Sequence, residues 1–222
     1  MVSIAGLGHA AIARKSLAPT HVLSLAVLFL GFALGFIADA AKAAEGMRPF
    51  TFAEKYKGLH IGRGEYTIKV EPAFEDYAYM LHRACDAMNL RMVEGECLIY
   101  PLTTFNLRQG AIATVEDGND VIVYDRSLSK QVGFSGAMGI IAHELGHHYC
   151  RHLYKPPSAS HEIEADRFSG AALRLAGFSR AEALAMTVIL SRRPSAKHPA
   201  RHEREKAILE GWNDPDRAKA CR

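Results

Sequence analysis

The chain has 222 residues, 49% of them apolar, and a formal net charge of +3. That length suits one well-packed domain and is too short for two large ones. The mild charge, without any block of five or six like charges, gives nucleic-acid binding no support; the basic stretch Arg201 to Lys206 alternates with Glu203 and Glu205 and reads as a solvated helix face.

The first 43 residues read as an export segment. After Arg14 and Lys15, an apolar run from Val22 to Ile37 leads into the small residues Ala38-Asp39-Ala40-Ala41-Lys42-Ala43-Ala44, which fit signal-peptidase cleavage after Ala43. The competing reading is a retained signal anchor, although a run of about sixteen residues is short for a hydrocarbon core of about 30 Å. Both readings place residues 44–222, as a single domain, outside the cytoplasm. The form of the signal points to a bacterial periplasm, or to its inner membrane with the domain facing outward. Four cysteines suit such a compartment: Cys85 with Cys97 and Cys150 with Cys221 is a plausible pairing, with four free thiols as the alternative.

Beyond Ala44, a strand is expected at Tyr66 to Val70, followed by a helix from Pro72 to about Asn89 whose apolar face comprises Phe74, Tyr77, Leu81, Ala84, Cys85 and Met88. Cys97 to Leu102, Ala111 to Glu116 and Val121 to Tyr124 are short β-rich runs separated by turn chemistry, the clearest being Asp117-Gly118-Asn119-Asp120. Together they suggest a small antiparallel sheet.

Ser135-Gly136 opens a helical stretch expected to reach about Tyr154, and within it lies His143-Glu144-Leu145-Gly146-His147. Residues four apart stack on one helix face, so His143 and His147 can direct two imidazoles at one metal ion. Glu144 stands one step round, where a carboxylate can take a proton from an activated water without itself ligating. His148 and His152 fall on another face and read as exposed helix-end residues.

A hydrolytic zinc site takes three protein ligands, so a third must come from elsewhere. After the connector Lys155 to Ala159, a second helix opens with His161-Glu162-Ile163-Glu164-Ala165-Asp166. Glu162 and Asp166 share a face one turn apart, so Glu162 can ligate while Asp166 fixes the tautomer of a ligating histidine. Glu164 lies about 200° round from Glu162 and is left for solvent or a salt bridge. This helix should end at Gly177. Ser179-Arg180-Ala181-Glu182 then has the form of a capping box, with Ala183, Met186, Val188, Ile189 and Leu190 as a core face, and a last helix should end at Gly211.

His143-Glu144-x-x-His147, then Glu162-x-x-Ala165-Asp166, then Lys197-His198-Pro199 with Arg204, resembles the gluzincin peptidases that include the CAAX prenyl protease and HtpX-type proteases. The resemblance covers roughly 119–212. Only fourteen residues separate His147 from Glu162, so it looks like a compact version without intervening transmembrane helices.

The resemblance implies an α+β fold, a mainly helical zincin-like core with the sheet beside the active-site helix, and zinc-dependent endopeptidase activity. One zinc would be held by His143, His147 and Glu162, with Glu144 as general base, Asp166 behind the ligands, and His198 and Arg204 stabilising the oxyanion. His198 could instead occupy the open coordination position. A polypeptide substrate would add as a β-strand along Val121-Ile122-Val123-Tyr124 if that strand is an edge; the alternative is an ordinary interior strand. Where relatives often show Asn-Ala before this hairpin, this chain has Ala111-Ile112-Ala113. The rival class is a latent metal-binding module or chaperone of the cell envelope, and the apolar N-terminal segment leaves room for membrane association.

Overall fold

The computed structural model describes residues 59–61, 67–91, 95–108 and 110–221. The expected export segment, 1–43, lies outside the described residues. Five strands form one sheet: β1 (Leu59–Ile61), β2 (Ile68–Pro72), β3 (Ile99–Thr104), β4 (Ala111–Glu116) and β5 (Asn119–Asp125), in the order β1-β2-β3-β5-β4. Helix α1 (Glu75–Ala87) follows β2, and α2 (Leu128–Tyr149) follows β5. After them come α3 (Ala159–Leu175), the short α4 (Arg180–Ala183), α5 (Arg201–Asn213) and α6 (Pro215–Ala218). The fold is mixed α and β, compatible with the expected α+β class.

The sheet is mixed, not antiparallel as expected: β3 and β5 run parallel, Tyr100 opposite Val121 and Leu102 opposite Val123. β4 folds back on β5 through a two-residue turn in which Asp117 (φ 49°) and Gly118 (φ 80°) both take positive φ, the conformation that matches strand twist in a tight hairpin. β5 is therefore interior, and the proposed edge role of Val121 to Tyr124 is corrected. All four of those side chains are fully buried. An unbroken apolar run belongs where both sheet faces are covered, whereas the mixed Ala111–Glu116 run suits the edge.

Helix α1 begins at Glu75, after Pro72 has closed β2 and Phe74 has taken the N-cap position. It buries Tyr77, Met80, Leu81, Ala84 and Cys85, while Phe74 is half exposed. A disulfide joins Cys85 to Cys97, and a second joins Cys150 to Cys221, as the sequence pairing proposed.

Helix α2 is the central rod, broken once at Gly133 (φ 71°, ψ 175°), so its long straight part starts where Ser135-Gly136 marked it. From Gly136 to Gly146 every residue is buried, which marks a helix packed on all sides. It stops at Tyr149, earlier than expected. Arg151 takes a left-handed conformation (φ 56°) and starts a single 3-10 turn, His152–Tyr154.

Helix α3 returns across α2, capped at its start by Ser158, whose hydroxyl accepts from the His161 amide. At its end Gly177 (φ 87°) donates to Arg174 and Phe178 donates to Leu173, closing the chain in a Schellman turn. α5 lies close against α3. A Cβ on Gly170 would sit 1.9 Å from the Ile208 carbonyl oxygen, and one on Gly211 would sit 1.8 Å from that of Arg167. Gly211 is thus a packing residue inside α5, not the helix end that sequence suggested. The Ser179 capping box forms, but α4 gives way after Ala183 to a 3-10 turn, Ala185–Ile189. Its tighter period turns Val188 and Ile189 outward, so only Ala183 and Met186 of the expected face are core. No helix among the described residues is long and apolar enough to cross a membrane.

Candidate metal centre

The buried α2 rod carries His143 and His147 one turn apart, and the antiparallel return of α3 delivers Glu162 from its first turn. Their ligand atoms all lie within 4.8 Å of one another. His143 Nε2 and His147 Nε2 are 3.1 Å apart, with the Glu162 carboxylate 3.6 Å from the first and 3.5 Å from the second. Three donors converging from two rigid elements form a candidate metal-binding group.

The outward nitrogens decide whether those donors are available. His143 Nδ1 lies 2.9 Å from Asp166 Oδ1. A carboxylate only accepts, so Nδ1 carries the hydrogen and Nε2 is free to present a lone pair. Asp166 is itself fully buried and clasped by Arg204, with Nε to Oδ2 at 2.7 Å and Nη2 to Oδ1 at 2.8 Å. The close contact at Gly170 and Gly211 lets α5 approach near enough for this clasp.

His147 is held by a pair that the sequence reading left outside the site. His147 Nδ1 is 3.0 Å from His152 Nδ1, and His152 Nε2 is 2.9 Å from Glu164 Oε2. Glu164 fixes the hydrogen on His152 Nε2, so His152 Nδ1 accepts from His147 Nδ1 and the His147 Nε2 lone pair faces inward. His152 is buried, correcting its expected exposure, and its ring stacks on His161 with centroids 4.4 Å apart. The left-handed Arg151 swings it back under α2, which a continuous helix would not have done. His148 is also enclosed, near Asp120 and the Val121 carbonyl, and ties α2 to the hairpin. Cys150, His152 and Glu164 form a second close group, but Cys150 is committed to its disulfide.

Two of the three charge states match a cation site. Burial and the neighbouring His143 push His147 down to about 2, leaving it neutral. Burial would raise Glu162, but His143 and Arg204 outweigh it and hold the carboxyl well below its usual range. Burial works against charge on His143, yet Asp166 and Glu162 lift it to about 9, so a proton and a metal compete for that ring. Two imidazoles and one carboxylate are the N and O donors that zinc accepts in sites with an open position.

Glu144 lies beside the cluster, buried, with Oε2 accepting from the Ala113 amide at 2.6 Å. Burial raises its pKa; His143 and the Ala113 amide act in the opposite sense. His198, half exposed on the loop before α5, reaches Glu162 Oε2 through Nδ1 at 3.3 Å. Arg204 Nη1 is 3.5 Å from the same oxygen. These groups line an open cleft of about 920 Å³, walled by β4, the 3-10 turn after α2, and the loop before α5. Compared with known proteins, the chain matches no family model, no curated protein and no solved structure.

Proposed function

We propose that the protein is a zinc-dependent endopeptidase, a compact, exported counterpart of the gluzincin group that its three motifs resemble. The observation carrying this reading is the place of Glu144: a buried carboxylate beside the three-donor cluster, anchored to a sheet edge along an open cleft. His143, His147 and Glu162 would hold the ion. Zinc in such a site supplies Lewis acidity toward water and carbonyl oxygen.

The protein's own residues do the rest. With Oε2 held by Ala113, Glu144 keeps Oε1 to take the proton of the attacking water and return it to the leaving amine nitrogen. Burial raises its pKa above the ordinary carboxylate value, which strengthens it as a proton acceptor. Ala113 donates away from β5, so the outer side of β4 offers backbone groups to an extended polypeptide, in the role first given to Val121–Tyr124. His198, on the cleft rim, is the donor for developing negative charge on the carbonyl oxygen. Arg204 acts mainly by holding Asp166 and Glu162, since its guanidinium is committed to both. Two disulfides favour an oxidising compartment, consistent with export.

The test is metal content and casein cleavage for the purified chain beside Glu144→Gln. One zinc per chain in both, with cleavage lost in the variant, is the expected result. Zinc in neither protein, or equal cleavage by both, rejects the reading.

A further inference from the structure

The cleft is lopsided in charge. Among the described residues, its only lining carboxylates are Glu144 and Glu162, both at the candidate metal centre, while Arg108, Lys155, Arg193 and Lys197 stand along its walls. The four cations come from three separate segments: the approach to β4, the exit of the 3-10 turn after α2, and the loop before α5. All four are exposed. Among the described residues, none of their side chains has an ion-pair partner, in contrast to Arg126, Arg167, Arg204 and Lys206. Ile140, Met186, Ile189 and Leu190 supply an apolar wall between them.

Unpaired cations around a low-dielectric cleft raise the local potential and favour ligands of opposite sign. Each exposed pair contributes little, roughly a factor of 1.4 to 5 in affinity, but several acting on one extended chain multiply. We infer that the cleft selects polypeptide segments carrying acidic side chains around an apolar residue, and rejects basic segments. The inference rests on the cleft being a polypeptide-binding site.

Binding decides it independently of turnover. Two fluorescent peptides that share an apolar centre and differ only in Asp/Glu or Lys/Arg flanks are titrated by anisotropy against zinc-loaded Glu144→Gln. The acidic peptide should bind about tenfold more tightly at low salt, with the preference shrinking severalfold at about 0.5 M salt. The loop variant Arg193→Glu/Lys197→Glu, in the Glu144→Gln background, changes only exposed side chains and should erase or reverse the preference. Equal affinities, including no measurable binding of either peptide, or a preference for the basic one, overturn the inference. Acidic preference in binding together with no cleavage of any peptide by the unmodified chain would uphold it and reject the peptidase reading instead.

Discussion

The backbone amide of Ala113, on the sheet edge, donates to Glu144 Oε2 at 2.6 Å, joining the edge strand directly to the carboxylate read as general base. That amide makes no ladder bond to β5, so proline, tolerated on edge strands, can remove it alone. Burial raises the Glu144 carboxyl and the amide partly restrains it. Ala113→Pro should therefore lift the Glu144 pKa further. A base works only when ionised, so the acid limb of the kcat/KM profile should move to higher pH, by about one unit for a charged hydrogen bond. An unmoved limb in a folded variant would show that Ala113 does not tune Glu144.

Glu164 and His152 should matter to the metal without touching it. Removing an outer partner of a ligating histidine typically costs 10- to 100-fold in metal affinity. His152→Ala and Glu164→Ala should each weaken zinc by about that factor in chelator competition, and the double variant should lose little more because they act in series. Glu164→Gln is the sharper probe. Its amide oxygen still accepts from His152 Nε2 but carries no charge, so it should fall between native and Glu164→Ala. Unchanged zinc affinity in all four variants would reduce the pair to a packing contact.

The candidate metal cluster was legible because its members lie on regular helices, where spacing fixes direction: His143 to His147, and Glu162 to Asp166, are each one turn apart. His152 was not legible, since it reaches His147 only through the left-handed Arg151, and nothing in a periodic reading marks that reversal. The bounds of β4 were legible to the residue, whereas edge and interior strands could not be told apart. Which strand is the edge depends on the parallel pairing of β3 with β5, a contact remote in sequence. The one local sign was the unbroken apolar run Val121 to Tyr124, which suits an interior strand. Gly211 has the form of a stop signal, whereas its reason lies in another helix, at the Arg167 carbonyl.

That helix contact gives a structural prediction with a functional readout. Ala at Gly170 would drive a methyl into the Ile208 carbonyl, so α5 must retreat from α3. Overpacking of this kind costs about 1–3 kcal/mol or more. The same retreat pulls Arg204 from Asp166, whose buried carboxylate then lacks its partner. Gly170→Ala should lower both the unfolding free energy and the zinc affinity. Arg204→Met, which breaks the buried pair without moving the helix, should destabilise by about 3–5 kcal/mol. If Gly170→Ala lowers stability but leaves zinc affinity intact, the helix contact does not transmit to the site.

Asp125 governs a pH dependence separate from the metal. It ends β5, and its carboxylate accepts from the amides of Leu107 and Ser127, each at 2.7 Å, fixing the corner where the sheet hands over to α2. Burial pushes its carboxyl up, but the Ser127 hydroxyl and amide, with the Leu107 amide, outweigh this and hold it below the usual carboxylate range. A depressed folded pKa stabilises above the unfolded value of about 3.9, and that stability is lost as pH falls through the folded pKa. Asp125→Asn should therefore be less stable than the native chain at pH 7, by about 1–3 kcal/mol for the weakened charged hydrogen bonds. The gap should narrow as both proteins are unfolded in urea at successively lower pH from about 5 to 3, because the unfolded carboxyl takes up its proton before the native one does, and protonation then favours unfolding of the native chain. A gap that stays constant over that range would mean that Asp125 acts through shape alone, with its charge playing no part in holding the corner that aims α2.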